Sequence, residues 1–207
     1  HSQFSVLQST MGIKDLVAAA AEYGMPAVAL TDHANMMGAF HFVREVKAHN
    51  SNLTEEDRAS GKRDLIPIIG CEFFVCEDRN NKSVKDYGYQ VVMLAKNKKG
   101  YHNLAKMSSI AYTEGFYYVP RIDREVVERY KEDVIVLTGN LYGEVPSKVL
   151  NQGEKQAEEA LLWWKEQFGE DLYVEVMRHG QEDEDRANQS LVALAKKHEV
   201  SLVATNN

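Results

Sequence analysis

Six short apolar runs rich in β-branched residues punctuate the chain: Ala27 to Leu30, Ile66 to Val75, Val91 to Ala95, Val134 to Thr138, Leu172 to Met177 and Ser201 to Thr205. Between them the apolar positions take helical spacing over Ile13 to Tyr23, Gly38 to His49, Gly100 to Thr113 and Glu154 to Phe168. Strands alternating with amphipathic helices predict βαβ units and a mainly parallel sheet. Gly24 and Pro26 suit the end of the first helix, since glycine favours the C′ position and proline cannot continue a helix. Two polar stretches break the rhythm, "HNSNLTEEDRASGKRD" from His49 to Asp64 and "EDRNNKSVKDYG" from Glu77 to Gly88, and both are expected to be loops.

Composition narrows the setting. The 207 residues are 44% hydrophobic and 27% charged, enough for a soluble α/β domain with a sizeable core. No apolar run reaches the roughly 18 to 20 residues of a membrane span, and no signal-peptide pattern opens the chain, so a cytoplasmic location is expected. Cys71 and Cys76 make neither a CxxC pair nor a disulfide framework and are expected to be reduced and structural. A net charge of -7 argues against a general nucleic-acid-binding surface. The basic residues Lys96, Lys98 and Lys99 are the local exception, a possible DNA contact but better read as a solvated helix start. His1 at the front and "LVATNN" at the end suggest a fragment, truncated at both ends, of a longer polypeptide.

In parallel α/β folds, chemistry gathers at the C-terminal ends of the strands. The residues at or beyond those ends are His1 (if a strand precedes it), Asp32 with His33, Glu72, Asn140, His179, and Asn206 with Asn207. Imidazoles and carboxylates that converge in this way are the donor set of zinc, manganese or iron. Each has a plainer explanation. Asp32 could cap the next helix while His33 makes one ordinary hydrogen bond, and His179 before a glycine fits a surface loop. Glu72 is harder to dismiss, because an unpaired carboxylate inside "IPIIGCEFFV" would cost several kcal/mol. His41, His49, His102 and His198 show no partner pattern, and Trp163 and Trp164 fall on an apolar helix face that suits packing. No P-loop, GxGxxG or GxSxG motif is present.

The segments "HSQFSVL", "MPAVALTDHANMMGAFHFV", "PIIGCEFFV", "MLAKNKKGYHNLAKMSSIAYTEGFYYVPRIDRE", "VIVLTGNLYGEVP", "LYVEVMRHG" and "LVATNN" follow one another as in the PHP (polymerase and histidinol phosphatase) domain family. The chain resembles the branch of that family that opens bacterial DNA polymerase III alpha subunits, and the resemblance covers residues 1 to 207. It implies a distorted (β/α)7 TIM-like barrel whose first strand is truncated. It also implies a parent chain that is a DNA-directed DNA polymerase, a nucleotidyltransferase of DNA replication, with its catalytic carboxylates and magnesium downstream. Implied partners are the rest of the alpha subunit, the proofreading exonuclease subunit and, through the parent, DNA.

Carried over by position, a family HxH motif would end at His1, with its first His two residues upstream. His33 matches the histidine of the TDH motif, and Glu72 matches a metal-bridging carboxylate. Asp32 is then an orienting group, and His179 a possible rim residue. Four other positions depart from the pattern: Gln8, Gln90, Asn140 and Asn207 stand where the family places an acidic residue, a His, a Cys or His, and an Asp. Amides neutralise a cation poorly, whereas they can hydrogen-bond to one another. The expectation is a degenerate phosphoesterase site with no bound metal, or at most one Zn or Mn on His1, His33 and Glu72, in a domain kept for structure and docking. The rival expectation is an active metal-dependent phosphoesterase or 3′–5′ exonuclease.

Overall fold

Side-chain alternation along the strands gives one sheet two different faces. The computed structural model describes residues 1–206 and contains a seven-stranded sheet of β1 (Ala27–His33), β2 (Ile66–Cys76), β3 (Tyr89–Ala95), β4 (Arg121–Asp123), β5 (Val134–Leu137), β6 (Leu172–Val176) and β7 (Ser201–Ala204). Their order is β1-β2-β3-β5-β6-β7, with β4 paired to the end of β2. Cys71, Phe73, Val75, Val91, Met93, Val134, Val136, Leu172 and Val174 point to one side, where helices bury them in the main core. The intervening residues, among them Glu72, Val92, Leu137 and Glu175, line an open cleft of about 1090 Å³ on the concave side. Among the described residues no ladder joins β1 to β7, so the sheet is a curled half-barrel.

The helices follow from the same economy of apolar surface. Helix α1 (Ile13–Glu22) buries Ile13, Val17 and Ala20, and α2 (Ala39–Ser51) buries Phe42 and Val46; together with Leu30 and Leu65 these form a small second core. Gly24 takes a left-handed φ of 65° just past α1, a conformation glycine adopts without a Cβ penalty. The main core is closed by α4 (Lys98–Thr113), α5 (Arg124–Tyr130), α6 (Glu144–Asn151), α7 (Glu154–Phe168) and α8 (Glu182–Lys197). Within α7, Trp164 is buried and its Nε1–H donates to Glu144 Oε2 at 2.9 Å, while Trp163 lies 4.3 Å beneath the Arg124 guanidinium. Both free cysteines are buried. No helix is long and apolar enough to cross a membrane.

Several expectations need correction. Strand β3 runs antiparallel to both β2 and β5, although the other four strand pairings are parallel. The reason is the polar segment 77–88: it contains no crossover helix, and an antiparallel return needs none. Strand β4 was not expected; at three residues with polar ends it carries no apolar run to announce it. His49 to Asp64 is not all loop, since α2 continues to Ser51 and a short α3 (Glu55–Ala59) follows, started by a Thr54/Asp57 capping box. Helix α8 opens on Glu182, Asp183, Glu184 and Asp185 and closes on Lys196 and Lys197, a charge order that suits the helix dipole. The basic cluster is occupied: Lys96 pairs with Asp171 at 2.9 Å, Lys99 with Glu132 at 2.6 Å, and Asn97 caps α4.

One buried cation ties the irregular parts together. Arg121 has no solvent exposure and donates to four backbone carbonyls, those of Gly115, Asp86, Arg79 and Asn81, at 2.8 to 3.2 Å. Its own carbonyl lies so close to Gly115 that a Cβ there would come within 1.8 Å of it. The segments 77–88 and 114–120 are thereby fixed to the end of β2. Arg121→Leu is expected to lower stability by about 3 kcal/mol, because one buried and three part-buried carbonyls lose their donor and an unsatisfied buried group costs about 1–3 kcal/mol. A urea titration of variant against parent measures it, and an unchanged midpoint would refute the role.

Candidate metal centre

The β1–β2 ladder sets the centre. Its register pairs His33 directly with Glu72, so both side chains leave the concave face side by side. His33 Nδ1 lies 2.9 Å from Glu72 Oε1, and His1 Nε2 lies 3.5 Å from the same oxygen. The two imidazole rings stack with centroids 4.1 Å apart, and one donor atom from each of the three residues falls within 4.8 Å of the others. Burial pushes the Glu72 pKa up, but the adjacent His1 and His33 imidazoles outweigh it and hold the carboxyl down to about 2.

The arrangement fits a cation. His33 Nδ1 and Glu72 Oε1 are both buried, and neither makes a hydrogen bond of acceptable geometry, although they sit at contact distance. Two imidazoles and a carboxylate converging on one point form a donor set that could hold a divalent cation, with His1, His33 and Glu72 as the residues that would bind it. Bound there, such an ion would supply Lewis acidity and a lowered pKa for bound water.

Asp32 takes another role. Alternation turns it to the opposite face of β1, where its buried carboxylate accepts from the Ser2 backbone N–H at 2.5 Å, Ser2 Oγ at 2.8 Å and Ser5 Oγ at 2.7 Å. Ser5 Oγ in turn accepts the His33 backbone N–H at 3.0 Å. Asp32 therefore holds the chain immediately after His1 against the strand that carries His33. Asn35 completes the corner: its side-chain amide donates to the carbonyls of Phe4 and His33, while Ala34 sits at φ 50°, an uncommon setting for a residue with a Cβ.

The remaining expected residues divide. Gln90 and Asn140 meet, Asn140 Nδ2 donating to Gln90 Oε1 at 2.9 Å while Asn140 Oδ1 accepts the Tyr142 N–H at 2.8 Å. Gln8 lines the concave cleft beside His1 and is exposed. Asn207 lies outside the described residues. His179 does not join His1 and His33; its Nδ1 meets Glu184 Oε1 and its Nε2 meets Asn206 Oδ1, both at 2.6 Å. A second buried carboxylate of the concave face, Glu175, was passed over in the sequence. It lines the same cleft, accepts from Thr205 Oγ1 at 2.5 Å, and leaves Oε2 without a partner. Burial raises its pKa, and the Glu72 charge adds to the effect. The signal was a lone acid inside the apolar run "LYVEVM", the same logic that singled out Glu72.

Two outcomes follow from this geometry. Asp32→Asn keeps the size but replaces an acceptor oxygen with a donor facing hydroxyl and amide donors, so a loss of about 2 kcal/mol is expected in a denaturant titration. A change under half that would separate Asp32 from the anchoring role. For His179, the Glu184 contact and then Asn206 raise the pKa above 6.5, while the same contact lowers that of Glu184 below 4.5. The clasp is therefore at full strength between those two ordinary values. It weakens as pH rises through the raised His179 pKa and as pH falls through the lowered Glu184 pKa. An NMR titration of the His179 ring should give a midpoint above 6.5; one at or below that value would contradict the clasp.

The family model of the PHP domain matches residues 1–179. Similar curated relatives include the DNA polymerase III subunit alpha of Aquifex aeolicus, 38% identical, and that of Borreliella burgdorferi, 37% identical. Each comparison covers 100% of this chain and 17% of the relative, so the chain spans about a sixth of those proteins. Among solved structures, a Bifidobacterium adolescentis protein described as a metal-dependent phosphoesterase superposes with a TM-score of 0.55 at 11% identity, over 94% of this chain and 81% of that one, a likeness of fold. With the family match over most of its length and this half-barrel beneath it, the chain belongs to the PHP domain family.

Proposed function

We propose that this chain is the PHP module of a DNA polymerase III alpha subunit and serves there as a structural and docking domain whose own phosphoesterase site is degenerate. Similarity along the whole chain to alpha subunits supports the placement in a DNA-directed DNA polymerase of replication. In this reading the nucleotidyl-transfer chemistry, with its magnesium, belongs to parts of the parent chain beyond these residues. The partners are the rest of the alpha subunit and the proofreading exonuclease subunit, the latter resting on the family resemblance, and DNA is met through the parent in the cytoplasm.

The observation that carries the loss of activity is the Gln90–Asn140 pair. Two amides at positions where the family places ligands turn toward each other at 2.9 Å and not toward His1, His33 and Glu72. Without those ligands the donor set supports one ion. A hydrolytic centre built on several ions would need more anionic oxygen and imidazole than these residues offer. The orphaned His33 Nδ1 and Glu72 Oε1 favour retention of that single ion, and they are the observation on the side of a residual phosphoesterase.

Elemental analysis and a phosphodiesterase assay on the full-length alpha subunit decide between the two. One zinc or manganese per chain or less is expected from this domain, removed by His33→Ala. Turnover of bis-p-nitrophenyl phosphate and of a 3′ single-stranded end should be no faster in parent than in His33→Ala. Two or more ions lost together with metal-dependent turnover in His33→Ala would establish the active enzyme instead.

A further inference from the structure

Beside the turn that follows His1 lies an apolar patch that the described residues leave uncovered. Val6 is 72% exposed, Leu7 98%, Met37 60% and Phe40 72%. Apolar side chains scattered singly over a surface need no explanation, but these four are gathered. Asn35 joins their two segments, its amide donating to the Phe4 carbonyl and its Oδ1 accepting the Met37 N–H. The Phe4 ring lies so close to Gly38 that a Cβ there would meet it at 3.1 Å. The same ring stacks on His41 at 5.9 Å, and Phe40 meets His41 edge-on at 5.9 Å. Met37, Phe40 and His41 share one face where α2 begins, by the i, i+3, i+4 spacing, while Phe42 and Val46 face the second core.

The patch is rigid. Ser5 N donates to the Ser2 carbonyl, the backbone N–H groups of Gln8 and Ser9 both donate to the Ser5 carbonyl, and Ser5 Oγ donates to the buried Asp32 carboxylate. In this turn Leu7 sits at φ 67°, a left-handed setting that is unfavourable for a residue with a Cβ and persists only where the surroundings enforce it. Tyr118 shares the setting at φ 64°, within the segments that Arg121 fixes. Leu7 gains almost no burial in return among the described residues. Strain that holds an apolar side chain outward points to a contact with something else.

A fixed apolar surface suits a permanent contact, since obligate interfaces are the more hydrophobic ones and a partner that leaves would return the patch to water. The alpha subunits that are similar along this whole chain are about six times its length. In the parent proposed above, most of the polypeptide is therefore tethered to this domain at high effective concentration. We propose that Val6, Leu7, Met37 and Phe40 form a seat on which another part of the same alpha polypeptide, outside residues 1–207, packs through apolar side chains. The inference rests on the placement in an alpha subunit and makes no use of a metal. It gives Asp32 a second consequence, because the bonds that bring His1 to His33 also set the turn that turns Leu7 outward.

The test uses the full-length alpha subunit with the photoreactive p-benzoylphenylalanine in place of Leu7 or, separately, Phe40. Equal amounts of isotopically light and heavy protein are mixed, irradiated and mapped by mass spectrometry. Adducts to positions outside 1–207 are expected, joining light to light and heavy to heavy. Mixed pairs would assign the patch to a second copy, adducts formed only with added exonuclease subunit would assign it to that protein, and no adduct would leave it a free surface; each overturns the proposal. Leu7→Asn supplies a test of sign, because asparagine tolerates the left-handed setting. On a covered seat it lowers the melting temperature of the full chain by about 2 °C or more, whereas an unchanged or raised value overturns the seat. DNA synthesis by the same unmodified protein separates the two readings: synthesis without the expected adduct removes this surface alone, and no synthesis removes the placement in a polymerase together with it.

Discussion

The buried carboxylate of Asp32 is the constraint on which the His1–His33–Glu72 cluster depends. Three donors from Ser2 and Ser5 converge on its two oxygens, and Ser5 relays the hold to the His33 backbone. A carboxylate removed from water is stable only when its oxygens are satisfied, so the segment after His1 cannot leave without stranding a charge. His1 belongs to a turn without regular strand or helix, and His33 to the rigid ladder of β1 and β2. Asp32 couples the two, and the 4.1 Å ring stacking is the visible result. The TDH motif thus divides its labour across a strand. His33 faces the ligand cluster, and Asp32, one residue earlier and on the other face, anchors the segment that supplies the second imidazole.

Arg121 does for segments 77–88 and 114–120 what Asp32 does for the histidines. Both are buried ions whose partners come from segments without regular structure, and both draw order from hydrogen bonds that hydrophobic packing could not aim. Burial of a guanidinium among carbonyls alone is costly, and the four bonds offset it only while segments 77–88 and 114–120 stay in place. That coupling explains how polar loops and a strained Tyr118 hold a defined shape beside the sheet.

The parts of this fold that were legible in the sequence are those set by apolar periodicity. All six runs became strands, and the four helical patterns became α1, α2, α4 and α7. The orientation of β3 was not legible, because an apolar run reads the same in either direction and only the missing crossover helix hinted at reversal. Strand β4 and helix α3 were hidden for lack of apolar pattern, while α8 went unread although its buried Ala187, Leu191, Leu194 and Ala195 take helical spacing. For the site, strand-end position and the burial cost of a lone acid singled out His1, His33 and Glu72 among other residues, and the side chains of these three converge. The same rule placed His179 at the mouth, where it meets Glu184 and Asn206 and not the histidine pair, because a strand end fixes where a side chain starts and not where it points.

Electrostatics of the concave face give the proposed degeneracy its physical logic. Two carboxylates, Glu72 and Glu175, are buried on that face, and each keeps one oxygen without a hydrogen-bond donor. Glu72 is held ionised by two imidazoles, while Glu175, lacking such partners, is pushed toward its neutral form partly by the charge of Glu72. A further acid or imidazole at position 90 or 140 would add another titratable group to this face, tolerable only with cations to bind it. Amides there remove that demand: they bond to each other, position Tyr142, and leave the fold's polar interior stable whether or not an ion sits between His1, His33 and Glu72. The same two residues also brace the segment that carries Tyr142, Asn140 Oδ1 accepting its N–H and Gln90 N donating to its carbonyl.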